Sequence, residues 1–200
     1  MLDKTARRLV DPVLDRIAVR LVAMRIPANT ITIGGCLIGA AACVAVAIRN
    51  YPVAMALILL NRLADGLDGC VARRTRATDL GGFLDILLDM IFYSGVPFAF
   101  AVADPSRWLP AAFLIYGFVG TGCSFLAWAV ISGKRDDQSE RESRKSFVYS
   151  VGLMEGTETI LFFCLMCLLP QQFAVLAWIF GILCWLTTVL RIAAAVRAFR

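Results

Sequence analysis

Apolar positions in this chain come in long, nearly unbroken runs rather than in the alternating or one-faced patterns of soluble strands and helices. Six runs, at 30–48, 53–73, 80–103, 108–132, 150–169 and 172–196, approach the about 20 residues a helix needs to cross a hydrocarbon layer. Pro52, Asp104-Pro105, Pro110 and Pro170 mark the turns or helix starts between them. Residues 1–25 follow another pattern. Leu2, Leu9, Val13, Leu14, Ile17, Leu21 and Val22 form an apolar stripe at helical spacing among Lys4, Arg7, Arg8, Arg16, Arg20 and Arg25. That stripe predicts an amphipathic helix at a membrane interface, attracted to anionic lipid. Charge interrupts it too often for a signal peptide. The expected fold is an all-α integral membrane protein with one domain over 1–200. It has an interfacial amphipathic helix at 1–25 and a bundle of six transmembrane helices at 26–200.

Composition agrees: 60% of the residues are hydrophobic and the mean hydropathy is +0.75, too apolar for a soluble domain of this length. With the N-terminus inside, one face of the bilayer receives nearly all the basic residues. Beside those of residues 1–25 these are Arg73, Arg74 and Arg76, then Lys134, Arg135, Arg141, Arg144 and Lys145, then Arg191, Arg197 and Arg200. The other face receives only Arg49 and Arg107. Both termini are therefore expected on the cytoplasmic side of the cell's inner membrane. The net charge of +5 reports this orientation and not a nucleic-acid partner. The cysteines are scattered through apolar segments as small hydrophobes, and the Cys164–Cys167 CxxC has no charged neighbour that would make it redox-active. The chain has no histidine, which excludes His-based catalysis and His-ligated zinc.

Against this apolar background, four carboxylates stand in the second and third runs: Asp65, Asp68, Asp85 and Asp89. Ionisable groups inside a membrane are costly unless paired or solvated, so they mark candidate functional positions. Asp65 and Asp68 are i and i+3, and Asp85 and Asp89 are i and i+4, so each pair shares a helix face. With a hairpin turn near Arg76, the two pairs fall at matching depths, roughly 12–20 Å from the turn at 1.5 Å per residue. Four like charges at one depth call for cations, and an all-carboxylate set suits two hard divalent ions such as Mg²⁺ or Mn²⁺. Gly66, Gly69 and Ala72 on the same helix would leave a groove for substrate beside the backbone, and Arg73 is placed to meet an anionic group. The competing reading takes the small residues as close helix packing and an Asp–Arg62 pair as a structural bridge. It accounts for one carboxylate rather than four.

These residues resemble the signature of the CDP-alcohol phosphotransferases, D-x2-D-G-x2-A-R, a short spacer, then G-x3-D-x3-D. Asp65, Asp68, Gly69, Ala72, Arg73, Gly81, Asp85 and Asp89 supply its fixed letters. Seven residues separate Arg73 from Gly81, one fewer than in the commonest form of the family. Pro27-Ala28-Asn29-Thr30-Ile31-Thr32 resembles the family's entry to the first helix, and the run Glu155-Gly156-Thr157-Glu158-Thr159 is similar to one in small bacterial members. The resemblance implies transfer of a substituted phosphate from a CDP-linked donor, usually CDP-diacylglycerol, to the hydroxyl of a small alcohol, with release of CMP. It implies two metal ions on Asp65, Asp68, Asp85 and Asp89, with Asp89 also the general base. Gly69 and Ala72 would make room for cytidine, Arg73 would contact the nucleotide phosphate, and Thr78 would contact the donor. It also implies a homodimer in the membrane lipid.

The acceptor is less legible. Lys145, Tyr149, Glu155, Glu158 and Arg191 are the charged or polar candidates outside the signature. Glu155 and Glu158 serve equally as acids at a helix start, and Lys145 and Arg191 equally as basic residues at cytoplasmic helix ends. Two rival functions stand beside the enzyme: a divalent-cation channel or transporter, and a non-catalytic family member. The chain shows none of the paired internal repeats that transporters carry.

Overall fold

The structure is a computed structural model that describes residues 2–134 and 156–199. Among the described residues it is all helical: α1 (Leu2–Ala23), α2 (Ala28–Ala47), α3 (Tyr51–Arg74), α4 (Asp79–Ala103), α5 (Trp108–Lys134), α6 (Gly156–Leu168) and α7 (Phe173–Ala198). Short 3-10 turns at Pro105–Arg107 and Pro170–Gln172 lead into α5 and α7.

Each apolar run of the sequence is matched by a helix. Among the described residues, four segments are long and apolar enough to cross a membrane: Ala28–Ala47, Asp79–Ala103, Pro105–Gly133 and Pro170–Ala198. The described residues thus supply four of the six expected crossings on this measure. α3 is not among them, and it carries Arg62, Asp65, Asp68, Arg73 and Arg74. α6 is described over only 13 residues.

Helix ends follow local chemistry. α1 and α2 end on Arg25 and Arg49 in the left-handed region, at φ of 58° and 63°. There the amides of Ile26 and Asn50 reach back to the carbonyls of Leu21 and Ala45 at 3.0 and 2.8 Å, closing the orphan carbonyls as glycine commonly does. The Arg49 guanidinium also donates to the Ala103 carbonyl at the end of α4, its Nε at 3.1 Å. At the same end of the molecule, the amide and hydroxyl of Ser106 donate to Asp104 and hold its carboxyl below the usual carboxylate range.

Packing is inside-out relative to a soluble protein. Large aliphatic side chains such as Leu37, Val44, Val102, Ile182 and Val189 face outward, where a bilayer would meet them. The interior is aromatic and small. Phe100 stacks on Phe173 and Phe162 on Phe180, both at 4.5 Å, and Phe163 and Phe118 fill the space between α4, α5 and α7. Glycines let the backbones approach. A Cβ at Gly39 would lie 2.9 Å from the Phe92 ring and 3.1 Å from Asn61 Nδ2, and one at Gly35 would lie 3.1 Å from Ala64 Cβ. α2 therefore presses against both α3 and α4. α5 and α7 form a second close pair, with Gly117 against Gly181 and Cys184. α1 lies along α3, where Leu14 and Ala18 are buried with Cys70 and Val71.

Candidate active site

α3 and α4 form the hairpin that brings the aspartates together. Thr75 stops α3, its amide and hydroxyl both donating to the Val71 carbonyl, at 3.0 and 2.8 Å. Thr78 starts α4 as its N-cap, Oγ1 accepting from the Gly81 amide at 3.1 Å, and Asp79 adds a favourable charge to the first turn. With the turn at residues 75–78, all four aspartates line one cleft between the two helices.

Asp65, Asp68 and Asp85 converge: one oxygen of each lies within 4.8 Å of the others. Oxygens bound to one Mg²⁺ sit about 2.0–2.1 Å from it, so donors directly across the ion are about 4 Å apart, and this set would close by up to about 1 Å around the ion. Asp68 is buried, Asp65 half-buried and Asp85 exposed, so the triad opens from the protein interior to a mouth. Thr32, Gly35 and Cys36 of α2 wall the cleft, whose floor holds Asn61 and Arg62.

The fourth carboxylate stands apart from the triad. Asp89 lines the same cleft, but both its oxygens are engaged. Arg62 Nη2 donates to Oδ1 at 2.6 Å, and Arg62 Nη1 at 3.4 Å and the Tyr93 hydroxyl at 3.2 Å donate to Oδ2. Arg62 Nη1 also donates to the Tyr93 oxygen at 2.9 Å, and Arg62 Nη2 lies 3.0 Å from Asp65 Oδ1. Four carboxylates against one guanidinium leave a formal excess of three negative charges in a half-buried cleft. That excess and the hard oxygen donors suit a divalent cation.

Other expected site residues are spread along the hairpin. Gly69 and Arg73 are neighbours one turn apart, a Cβ at Gly69 meeting Arg73 Nη1 at 3.2 Å, and Arg73 Nη2 reaches Cys70 Sγ at 3.1 Å. Ala72 is half-buried beside them, and Thr78 is exposed at the turn. The groove expected from the small residues is partly a packing seam: a Cβ at Gly66 would lie 2.6 Å from Leu14 Cδ1 of α1. Glu158 is buried near the start of α6, while Lys145, Tyr149 and Glu155 lie outside the described residues. Arg191 points inward, its Nη1 donating to the Thr121 carbonyl at 2.9 Å and its guanidinium 5.8 Å from the Phe125 ring centroid. It borders a second cavity of about 140 Å³, together with Thr121, Thr159 and Tyr93.

Sequence reasoning treated Arg62 only as a possible bridge and missed Tyr93 and Asn61. Each signal was present at helical spacing, Tyr93 at i+4 from Asp89 and Asn61 at i−4 from Asp65. Asn61 is buried, and its Nδ2 donates to the Gly35 carbonyl at 2.9 Å, which leaves Oδ1 without a partner in the cleft.

The sequence profile of the CDP-alcohol phosphatidyltransferases matches residues 24–193, which includes every residue of this cleft. The chain belongs to that family. CDP-alcohol phosphatidyltransferases move substituted phosphate groups, so the chain is a transferase, and one whose scaffold is built for the membrane. Among its relatives, inner membrane protein YnjF of Escherichia coli K12 is 47% identical over 193 residues, 96% of this chain and 94% of that protein. Archaetidylinositol phosphate synthase of Methanothermobacter thermautotrophicus is 42% identical over 86 residues, 42% of this chain and 40% of that protein. The enzyme of the same name from Pyrococcus horikoshii is 32% identical over 109 residues, 54% of this chain and 57% of that protein. The fold is that of the phosphatidylinositol phosphate synthase of Mycobacterium tuberculosis, solved with CDP-DAG bound. The TM-score is 0.72 at 20% identity, over 91% of this chain and 92% of that one.

Proposed function

We propose that this phosphatidyltransferase takes a phosphatidyl group from CDP-diacylglycerol, transfers it to the hydroxyl of a small polar alcohol and releases CMP. The observation that carries the proposal is the convergence of Asp65, Asp68 and Asp85 within 4.8 Å, with Asp89 beside them in one cleft. Bound there, two divalent ions, Mg²⁺ or Mn²⁺, would neutralise the diphosphate and the oxygen that departs with CMP. Asp65, Asp68 and Asp85 are the main ligands in this reading. Asp89, less tied to the triad, is the base that accepts the hydroxyl proton, and it also borders the second ion.

Gly69 and Ala72 leave room for cytidine, and Arg73 meets the nucleotide phosphate. Thr78 uses one lone pair of its hydroxyl as a helix cap, which leaves its proton free to donate to the donor. The cavity beside Arg191 receives the acceptor. Tyr93 borders that cavity and also donates to Asp89, so in this reading it links the acceptor to the base. Two relatives named archaetidylinositol phosphate synthase make inositol phosphate the first acceptor to try. In this reading the whole chain is one domain of the inner membrane. Its six helices cross the bilayer, α1 lies at the interface, and both termini and the cleft face the cytoplasm. The protein acts as a homodimer.

The test is CMP release by purified, lipid-reconstituted protein given CDP-diacylglycerol, Mg²⁺ or Mn²⁺ and a panel of alcohols, beside Asp89→Asn. Release that depends on metal and acceptor, and is lost in the variant, supports the proposal and names the acceptor. Failure to bind either metal or cytidine nucleotide would sink it.

A further inference from the structure

The geometry points to Arg62 as a positioning residue that controls how many cations the cleft holds: one ion on the triad, with the second admitted only when nucleotide draws Arg62 off Asp89. This rests on the metal-dependent reading above.

Arg62 occupies the place where a second ion would need to work. Its Nη2 bridges Asp65 and Asp89 at 3.0 and 2.6 Å, across the gap between α3 and α4. The fork of its two terminal nitrogens covers both oxygens of Asp89, and Tyr93 holds the fork from behind, accepting from Nη1 at 2.9 Å. The side chain is only 17% exposed, so water offers it little in exchange for these partners. Asp89 in turn is absent from the set of carboxylates close enough to share an ion.

Two consequences follow from charge alone. A first divalent ion can enter the triad, where Arg62 touches only Asp65 and leaves Asp68 and Asp85 open. A second ion at Asp89 must displace the guanidinium, which costs the Arg62–Asp89 ion pair and adds the repulsion between the ion and a guanidinium left beside it on Asp65. A diphosphate removes both obstacles. It offers Arg62 an anionic partner that suits its fork, and it gives the incoming ion further hard oxygens. Arg62 thus keeps Asp89 oriented and partnered until the donor arrives, and couples arrival of the donor to completion of the metal site.

The experiment counts ions and does not depend on turnover. Full-length protein in detergent is titrated with Mn²⁺, and free Mn²⁺ is read by electron paramagnetic resonance. The titration is done with and without CDP, for wild type, Arg62→Gln and Arg62→Lys, with a thermal melt on each to confirm folding. Wild type is expected to hold one Mn²⁺ tightly and a second at least tenfold more weakly, with CDP removing the difference. Arg62→Gln is expected to narrow the gap at least tenfold without CDP, and Arg62→Lys, which keeps the charge but not the fork, to fall between. Two equivalent ions in wild type without CDP would overturn the inference, as would an unchanged second affinity in a folded Arg62→Gln. If a variant does not fold, the wild-type count with and without CDP decides the matter. Wild type that binds no Mn²⁺ under either condition would overturn the metal-dependent function itself, a result distinct from two equivalent ions.

Discussion

Replacing Tyr93 with Phe removes one oxygen and leaves a ring that packs among Phe92, Phe118 and Phe163 at centroid distances of 6.0, 6.1 and 6.3 Å. The perturbation is therefore confined to two hydrogen bonds, the one donated to Asp89 at 3.2 Å and the one accepted from Arg62 at 2.9 Å. Bonds to charged groups in water-soluble proteins contribute about 1.5–3 kcal/mol, but side-chain bonds between membrane helices average about 0.6 kcal/mol. The lower figure applies here, because the ion pair between Arg62 and Asp89 at 2.6 Å survives and neither charge is orphaned. Only the bond from Arg62 crosses between helices, the bond to Asp89 lying within α4; taking the same figure for each gives about 1.2 kcal/mol. If they orient Asp89 for proton transfer, the variant loses about eightfold in kcat. CMP release is measured against donor and acceptor concentration in reconstituted protein, and the KM for CDP-diacylglycerol is expected to stay unchanged. A kcat within twofold of wild type would refute the argument that Tyr93 holds Asp89 in its working orientation.

Asp68→Asn removes one charge from the buried part of the triad and should lower CMP release by more than the about 10–100-fold that loss of an outer-shell partner costs. Excess Mg²⁺ should not restore it, whereas wild type stripped with EDTA should recover fully on adding metal. Gly39→Val should cost about 1–3 kcal/mol by overpacking against Phe92 and Asn61, read as a lower unfolding temperature in detergent. Thr78→Ala should cost about 1 kcal/mol as a lost helix cap and raise the KM for the donor, while Thr78→Ser keeps both properties.

Much of this was legible because a membrane punishes polar groups. Asp65, Asp68, Asp85 and Asp89 stood out against apolar runs, and helical periodicity alone put them at matching depths. Thr75 and Thr78 then placed the turn where the spacing asked for it. What the sequence hid was pairing. Nothing in a one-dimensional pattern says that Arg62, three residues before Asp65, reaches across to α4 and pairs with Asp89, which stands outside the converging carboxylates. Gly66 shows the opposite failure. Its lack of a side chain suggested room for substrate, yet Leu14 from the distant N-terminal helix fills that space. Arg25 and Arg49 end their helices in a conformation that glycine would have announced.

The two cavities draw their walls from different stretches of chain. Every carboxylate of the cleft comes from one hairpin, between Asn61 and Tyr93, whereas the space beside Arg191 is lined mainly by α5, α6 and α7. On the proposed reading, heredity can edit these two inventories separately. Mutations scattered through the last three helices can change which head group the lipid receives while the hairpin is copied intact. A lineage that needs a new membrane lipid then has no need to reinvent the catalyst.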